Sequence, residues 1–270
     1  MKIAVITGAS SGMGRDFAKK IESDFTLDEI WLIARRKERL LELSKELKTK
    51  TRILSYDLTD KVAIEEYKSL LSETKPDVEL LVNAAGFGVF GAFEKNDEKQ
   101  SEIILLNDKA LVDITYTTLP YMKSGSSIIN LGSNSSWQPV PYIAVYGASK
   151  AFVLSFSRAL SMELKPRGIK VLCVCPGWIK TEFFDRAVHD DTIVYYDRFY
   201  ESKDVVERAM KDVLIKSIDY KDDPVALARY KDENGKYIIR QSIIFDMLGK
   251  LADVSFKGRA RELIDNANKE

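Results

Sequence analysis

Short apolar segments rich in β-branched residues alternate with amphipathic segments of helical spacing along most of this 270-residue chain. The apolar segments that we predict as strands are Ile3–Ile6, Ile30–Ile33, Ile53–Leu54, Val78–Val82, Ser126–Leu131 and Ile169–Val174. The predicted helices between them are Arg15–Ile21, Lys37–Leu47, Ala63–Leu71, Gln100–Met122 and Tyr146–Leu164. Strands that alternate with helices form a parallel sheet covered on both faces, and right-handed crossovers make that sheet doubly wound. We therefore predict an α/β fold of the Rossmann type, built as a single domain over residues 1–270.

The composition limits the function classes that this chain can belong to. Lys plus Arg and Asp plus Glu both number 41, and this balance argues against a general nucleic-acid binder. No run of about 18 apolar residues exists, so we expect no membrane-spanning helix. The apolar run at the N-terminus is too short for a signal peptide, which makes the cytoplasm the expected location. A single histidine, His189, and two cysteines, Cys173 and Cys175, predict neither a metal site nor a disulfide framework.

The alternation weakens beyond about residue 187. Val205–Ile215 has helical spacing, Tyr237–Ile239 is a weak strand candidate, and the polar stretch 219–235 is typical of a surface insertion. Two further segments, Ile243–Leu251 and Ala260–Ala267, are predicted as closing helices. We interpret residues 219–270 as a divergent C-terminal segment of the same domain.

The first predicted strand leads directly into a turn rich in glycine and serine. Glycines allow the backbone to turn sharply and to approach a pyrophosphate closely, and the helix that follows offers free N–H groups. The alternative is an ordinary glycine-rich turn, but its position between the first strand and the first helix favours a dinucleotide site. The residues predicted to contact the cofactor here are Gly8, Ser10, Ser11, Gly12, Met13 and Gly14.

The end of the second predicted strand indicates which dinucleotide binds. A site for NAD usually carries a carboxylate there, whereas this chain has Ala34 followed by Arg35 and Arg36. A carboxylate would repel a 2′-phosphate, and a guanidinium group can bind one through paired, charge-assisted hydrogen bonds. The sequence therefore predicts NADP, with Arg35 as the main phosphate contact. Arg36 either stacks near the adenine or faces water.

The glycine spacing, Gly-x-x-x-Gly-x-Gly, resembles that of the short-chain dehydrogenase/reductase family in its short, single-domain branch. The resemblance covers about Lys2–Ala187 and includes Asn83-Ala84-Ala85-Gly86, which is similar to the family's Asn-Asn-Ala-Gly motif with Ala84 in place of the second Asn. The family's Asn, Ser, Tyr and Lys are also present in order. They are Asn107, Ser133, Tyr146 and Lys150.

Tyr146 and Lys150 are four residues apart on a predicted helix, so they share one face. Ser133 precedes Tyr146 by thirteen residues and follows the fifth predicted strand, which places both at the sheet edge where ligands bind. The resemblance implies that Tyr146 is the acid/base, its pKa lowered from ~10 by Lys150 and by the oxidised cofactor. It also implies that Ser133 polarises the substrate oxygen, that Lys150 holds the nicotinamide ribose, and that Asn107 positions a proton-relaying water. Taken alone, a serine such as Ser133 is most often a turn or cap hydroxyl, and an asparagine such as Asn107 a satisfied mid-helix amide.

The resemblance implies further cofactor contacts along the same sheet edge. Asp57 would bond the adenine, although it is also a helix-capping residue, and Leu58 would pack on the ring. Asn83 would tie strands together, and the Pro-Gly stretch after the sixth strand would bind the carboxamide. The complete set is Asp57, Leu58, Asn83, Ala84, Ala85, Gly86, Pro176, Gly177, Ile179 and Thr181.

Residues 182–218 resemble the family's mobile substrate lid and contain several aromatics, among them Tyr195 and Tyr196. We expect Trp137, Pro139, Pro141 and Phe87 to line the opposite wall. Such a site suits an apolar ketone or secondary alcohol, for example a steroid-like one, although core packing explains the lid aromatics equally well.

The leading hypothesis is an NADP(H)-dependent oxidoreductase that interconverts a ketone and a secondary alcohol. The alternative is a non-catalytic NADP-sensing module that binds a protein partner, and such relatives are expected to lose the Tyr or the Lys. A nucleotide-sugar epimerase or dehydratase is a third hypothesis, which the loop spacing and the limited C-terminal length disfavour. The resemblance also implies a homodimer or homotetramer, without nucleic-acid or membrane partners.

Overall fold

The computed structural model describes residues 1–95, 99–187, 199–214, 230–231 and 237–238. Internal contacts divide the chain into two compact units, Met1–Leu214 and Ile215–Glu270. The predicted lid aromatics at 195 and 196, His189 and the two predicted closing helices lie outside the described residues. The single domain over residues 1–270 stays a prediction.

Six parallel strands form the central sheet of the first unit. They are β1 (Lys2–Thr7), β2 (Glu29–Ile33), β3 (Thr51–Leu54), β4 (Asp77–Asn83), β5 (Ser127–Leu131) and β6 (Lys170–Val174). Their order across the sheet is β3-β2-β1-β4-β5-β6, so the winding direction reverses between β1 and β4. This order confirms the predicted doubly wound α/β sheet. A crevice at such a reversal is where ligands bind in open sheets of this kind.

Helices connect the strands and cover both faces of the sheet. They are α1 (Gly12–Asp24), α2 (Lys37–Glu46), α3 (Lys61–Thr74), α4 (Lys99–Ile104), α5 (Ala110–Thr118), α6 (Ala144–Leu164), α7 (Phe183–Ala187) and α8 (Ser202–Leu214). Two short strands, β7 (Ile179–Lys180) and β8 (Tyr200–Glu201), pair with each other in parallel. None of the helices in the described part of the chain has the length and apolar character that crossing a bilayer requires.

β1 shows why the apolar segments are nearly continuous. Ile3 and Val5 pack against α3, α5 and α6, whereas Ala4 and Ile6 pack against α1, α2 and α8. All four side chains are fully buried. Because successive side chains of a strand point to opposite faces, a strand covered on both sides needs apolar residues at every position. Full burial of one such Ile or Val contributes roughly 1.5–3 kcal/mol.

The predicted helical segment Gln100–Met122 is confirmed as an unbroken run of helical residues from Lys99 to Tyr121, but it is not α-helical throughout. The structure has α4, then a π-helical turn at Leu105–Lys109, then α5, then a 3₁₀ turn at Leu119–Tyr121. The π turn coincides with Asn107, whose carboxamide bonds to the backbone of a neighbouring loop. The 3₁₀ turn contains Pro120, which cannot donate the hydrogen bond that a continuing helix needs.

The two cysteines near the end of β6 are free, and their sulfur atoms lie 3.6 Å apart. In the second unit the structure describes one antiparallel pair, β9 (Tyr230–Lys231) and β10 (Tyr237–Ile238). The second strand of this pair coincides with the weak strand predicted at Tyr237–Ile239.

Candidate active site

The loops that follow the carboxyl ends of the sheet strands line one crevice. Two predicted site residues, Asn83 and Asn107, are not among its lining residues; both are almost fully buried. The other predicted site residues line it together: Gly8, Ser10, Ser11, Gly12, Met13, Gly14, Arg35, Arg36, Asp57, Leu58, Ala84, Ala85, Gly86, Ser133, Tyr146, Lys150, Pro176, Gly177, Ile179 and Thr181. We call the part around residues 8–14, 35 and 36 the phosphate-loop end, and the part around Ser133, Tyr146 and Lys150 the tyrosine end.

The turn between β1 and α1 forms a cradle that only a side-chain-free residue permits. Gly8 has a φ of +69°, and a Cβ there would lie 2.6 Å from the carbonyl oxygen of Ala84. The neighbouring Thr7 hydroxyl accepts hydrogen bonds from the backbone N–H groups of Ala84 and Ala85, at 3.0 and 3.1 Å. These contacts hold the ends of β1 and β4 together beneath the crevice.

The N-terminus of α1 is available to a ligand. Ser11 is its N-cap residue, but the Ser11 side chain makes no capping hydrogen bond. The first N–H groups of the helix therefore have no side-chain acceptor from the cap, the first helical residues line the crevice, and the helix dipole favours an anion there. The cradle and this helix end fit the pyrophosphate of a dinucleotide.

Arg36 reaches across the phosphate-loop end. Its Nη2 donates to Ser11 Oγ at 2.8 Å and to Ser10 Oγ at 3.2 Å, and its Nη1 lies 3.1 Å from a carboxylate oxygen of Glu182. Arg35 instead pairs with Asp57 at 3.5 Å, and its side chain is 64% exposed. Of the two arginines, the structure brings Arg36 closest to the loop, whereas the sequence favoured Arg35.

Asp57 has a second partner besides Arg35. Its Oδ1 accepts hydrogen bonds from the backbone N–H of Thr59 at 3.0 Å and from the Thr59 hydroxyl at 2.7 Å. The N-cap of α3 is Asp60, which accepts from the N–H of Val62. Asp57 therefore stabilises the turn before α3 and still lines the crevice.

The tyrosine end brings Ser133, Tyr146 and Lys150 together. Tyr146 and Lys150 lie one turn apart near the start of α6, and Lys150 Nζ is 5.7 Å from the centre of the Tyr146 ring. Lys150 is 6% exposed and donates a hydrogen bond of 2.7 Å to the carbonyl oxygen of Leu131 at the end of β5. Ser133 is the N-cap of the short turn Asn134–Ser136, and its hydroxyl accepts from the N–H of Ser135 at 3.2 Å.

The pKa values at the tyrosine end are set mainly by burial. Burial of the phenol raises the pKa of Tyr146 to about 12, and a hydrogen bond with Ser133 opposes this rise. Burial of the ammonium lowers the pKa of Lys150 to about 8, and nearby Cys173 and Asp108 oppose this fall. In the chain alone, burial therefore dominates the pKa of Tyr146, and its lowering by Lys150 together with a bound oxidised cofactor stays a prediction. At neutral pH the side chain of Tyr146 is a phenol, which is the form that donates a proton.

Asn107 and Asn83 support the crevice from behind. The Asn107 carboxamide accepts from the N–H of Phe87 at 3.0 Å and donates to its carbonyl oxygen at 2.9 Å. It also donates to Ser149 on α6 at 3.1 Å. Asn83 donates to Thr115 and Asn130, which joins β4 to α5 and β5. Both side chains fix the backbone around the crevice in the described structure.

An aromatic wall lies beside the tyrosine end. Phe183 packs on the Tyr146 ring, with centroids 5.4 Å apart, and Phe184 contacts Trp178 at 5.6 Å and Phe90 at 6.3 Å. Phe87 lines the crevice as predicted. The three other predicted wall residues, Trp137, Pro139 and Pro141, are not among the described lining residues, and Trp137 is 38% exposed.

Sequence reasoning missed several residues that shape this crevice. Gly88 is one of them, because a Cβ at Gly88 would lie 2.9 Å from the Tyr146 ring and from the ring of Phe183. The Thr7 hydroxyl, the Glu182 carboxylate and Arg39, which also pairs with Glu182, are the others. The position of Thr7 before Gly8 is a local signal, whereas nothing near Glu182 in the sequence indicates its partners.

Comparisons with known proteins agree on the family. The family profile described as short chain dehydrogenase matches residues 2–192. Sulfoacetaldehyde reductase 2 of Chromohalobacter salexigens is 38% identical over 191 residues, which cover 67% of this chain and 74% of that protein.

Two solved structures share the fold. A short-chain dehydrogenase from Sphingobium yanoikuyae in complex with NADPH has 30% identity and a TM-score of 0.68, covering 78% of this chain and 84% of that chain. The bulky-bulky ketone specific alcohol dehydrogenase from Comamonas testosteroni has 28% identity and a TM-score of 0.66, covering 80% and 84%. With the profile spanning most of the crevice-forming unit, this chain belongs to the short chain dehydrogenase family of oxidoreductases.

Proposed function

We propose that this chain is an NADP(H)-dependent oxidoreductase that interconverts a ketone and a secondary alcohol, acting on an apolar substrate such as a flat, steroid-like ketone. The observation that carries the proposal is the tyrosine end, where a phenol, an ammonium group and a serine hydroxyl line one crevice beside an aromatic wall. The non-catalytic alternative loses support, because Tyr146 and Lys150 are both present and both line the crevice.

Tyr146 is the proton donor in the proposed reduction. A bound nicotinamide supplies the hydride, and the side chains of this chain supply the proton and orient the carbonyl. The raised pKa of Tyr146 keeps the phenol protonated before the reaction, and Ser133 stands beside it to hold the substrate oxygen. Lys150 lies close enough to stabilise negative charge on the phenol once the proton has left.

The phosphate-loop end supports NADP over NAD. Ala34 occupies the position after β2 where a carboxylate would bind a ribose hydroxyl, and Arg35, Arg36 and Arg39 follow it. Guanidinium groups are the side chains that bind phosphate through paired hydrogen bonds. The similarity to a structure that contains NADPH agrees with this choice.

The proposal also includes further cofactor contacts, a residue that positions a water, an oligomeric state and a cellular location. Asp57 and Leu58 hold the adenine, the segment from Pro176 to Thr181 holds the carboxamide, and Asn107 positions a water on the proton path. The protein is proposed to act in the cytoplasm as a homodimer or homotetramer.

A small anionic aldehyde is the second candidate substrate, favoured by the similarity to a sulfoacetaldehyde reductase. Among the described residues that line the crevice, the cations are Arg35, Arg36 and Lys150. Both arginines belong to the phosphate-loop end, which leaves Lys150 as the cation beside the aromatic wall. Such a surface binds a charged sulfonate weakly and a hydrophobic ketone well.

Nicotinamide absorbance at 340 nm tests the proposal directly. We expect NADPH consumption with aryl, cyclic or steroid ketones, slower consumption with NADH, and little with sulfoacetaldehyde or sugars. Turnover restricted to sulfoacetaldehyde would overturn the substrate class, and equal rates with both cofactors would overturn the cofactor choice. Tight NADPH binding without turnover on any carbonyl would favour the sensing module.

A further inference from the structure

Glu182 forms ion pairs with residues far away in the chain. Its carboxylate lies between two guanidinium groups, 3.1 Å from Nη1 of Arg36 on one side and paired with Nη1 of Arg39 on the other. The Nη2 atom of the same Arg36 donates to Ser11 and Ser10. The donors of Arg36 are thus directed at the phosphate loop and at Glu182.

The Glu182 carboxylate lies near the position where nucleotide sites that prefer NAD carry an acidic side chain. A nucleotide site that prefers NAD carries a carboxylate at the end of β2, and this chain has Ala34 there. Glu182 follows β7, 146 residues after Arg36, and brings a carboxylate to the arginines that follow Ala34. The crevice therefore holds a negative group at the phosphate-loop end although the strand itself lacks one.

A 2′-phosphate and Glu182 need the same hydrogen-bond donors. A phosphate monoester carries about −1.5 to −2 charges at neutral pH and binds guanidinium groups through paired hydrogen bonds. Hydrogen bonds from Arg39 and Arg36 lower the pKa of Glu182, so its carboxylate is charged at neutral pH. Two anions on one pair of arginines repel each other, and these side chains are 29% to 40% exposed, which leaves them room to reorient.

We propose that Glu182 is a specificity-determining residue that competes with the 2′-phosphate of the cofactor for Arg36 and Arg39. This inference rests on the proposed function, since it takes NADP(H) as the ligand. Glu182 weakens the binding of the phosphorylated dinucleotide and leaves that of the unphosphorylated one unchanged. Glu182 therefore reduces the preference for NADP(H) over NAD(H) that the two arginines create.

The test compares two small probes, 5′-AMP and adenosine 2′,5′-bisphosphate, which differ only in the 2′-phosphate. Their binding to the full-length protein is measured by titration calorimetry, with no turnover required. For Glu182→Gln we expect about 3- to 30-fold tighter binding of the bisphosphate and unchanged binding of 5′-AMP, because two partly exposed ion pairs no longer compete.

Glu46→Gln is the matched control. Glu46 also pairs with two cations, Arg15 and Lys19, is 42% exposed, and is not among the described residues that line the crevice. Its substitution changes the net charge by the same amount, so we expect neither probe to bind differently. Equal tightening in both variants would overturn the proposal, because net charge alone would then explain the effect.

A third variant shows whether the effect passes through the two arginines. In an Arg36→Ala/Arg39→Ala background, Glu182→Gln should change bisphosphate binding less than 2-fold, because both groups for which the anions compete are gone. Unchanged or weaker bisphosphate binding in the single Glu182→Gln variant would overturn the proposal. A different result would contradict the proposed NADP cofactor itself. In that case the wild-type protein binds the two probes equally, and Glu182→Gln gains no preference for the bisphosphate.

Discussion

The two ends of the crevice are held in place in different ways. At the tyrosine end, Lys150 is almost fully buried and is fixed by a hydrogen bond to a backbone carbonyl of the neighbouring strand. At the phosphate-loop end, Arg36 and Glu182 are partly exposed and are held by side-chain contacts, namely their own ion pair, the Arg39–Glu182 pair and the hydrogen bonds from Arg36 to two loop serines. The first end is organised by secondary structure, and the second by long-range ion pairs.

This difference affects the pKa values of the catalytic groups and the strength of the ion pairs at the phosphate-loop end. Burial at the tyrosine end shifts the pKa values of Tyr146 and Lys150 far from their ordinary values, which is a frequent property of catalytic groups. Exposed ion pairs contribute only about 0–1 kcal/mol each, so their partners exchange easily. The tyrosine end therefore suits fixed chemistry, and the phosphate-loop end suits an exchangeable anion.

A large effect at the tyrosine end, second to that of Tyr146→Phe, is expected from Lys150→Met. We expect turnover to fall about 100- to 1,000-fold, because the charge that stabilises a deprotonated Tyr146 is lost. Steady-state rates and thermal melts of the variant check this. A fall of less than 10-fold in a folded variant would contradict the role of Lys150 in the reaction.

An intermediate effect is expected from Arg36→Ala. We expect it to weaken NADPH binding about 10- to 150-fold and NADH binding much less, because one paired, charged contact is lost. Arg35→Ala is the matched variant, and its effect should be smaller because Arg35 is more exposed and is paired with Asp57. If Arg35→Ala weakens NADPH binding more than Arg36→Ala does, Arg35 is the main phosphate contact, as the sequence predicted, and the choice of Arg36 from the structure is wrong.

The smallest effect is on stability and concerns the pKa of Lys150. Its folded-state value of about 8 lies below the unfolded value of ~10.4, so the unfolded chain binds more protons between these limits. Across that window the free energy of unfolding should rise with pH, by up to about 3 kcal/mol, and below pH 8 the full cost of burying the ammonium remains. The raised pKa of Tyr146 acts only above pH ~10.

Urea unfolding at pH 7.5, 8.5 and 9.5 measures this rise. The wild type should show it, and Lys150→Met should lack it, since the titrating group is gone. Equal pH dependence in the two proteins would mean that another group causes the rise, and that Lys150 is less desolvated than the structure indicates.

Local sequence patterns predict the sheet, the glycine turn and the shared helix face of Tyr146 and Lys150, whereas the choice of Ser133 also needed the family resemblance. Strand and helix periodicities are local, and Tyr146 and Lys150 share a helix, so their proximity follows from spacing alone. The helical segment Gln100–Met122 was also predicted, but its π turn was not, because the turn at Asn107 coincides with hydrogen bonds to the backbone of Phe87, twenty residues away.

Long-range contacts explain the other differences. Glu182 meets Arg36 across 146 residues, and no spacing rule connects them. Burial raises the pKa of Tyr146, and the extent of that burial follows from the packing of segments distant in the sequence. The wall residues Phe183 and Phe184 lie within the predicted lid segment, whereas Trp137 and its neighbouring prolines, predicted for the opposite wall, are not among the described lining residues.

Tyr146→Phe, with Tyr116→Phe as its control, tests the proposed proton donor most directly. Tyr116 is 79% exposed on α5 and is not among the described lining residues, so its loss of a hydroxyl should leave the rate unchanged. Ketone reduction is followed at 340 nm, and NADPH affinity by fluorescence titration. We expect Tyr146→Phe to lose at least about 1,000-fold in turnover with NADPH affinity nearly intact. Turnover within a few-fold of wild type would show that the phenol is not the proton donor.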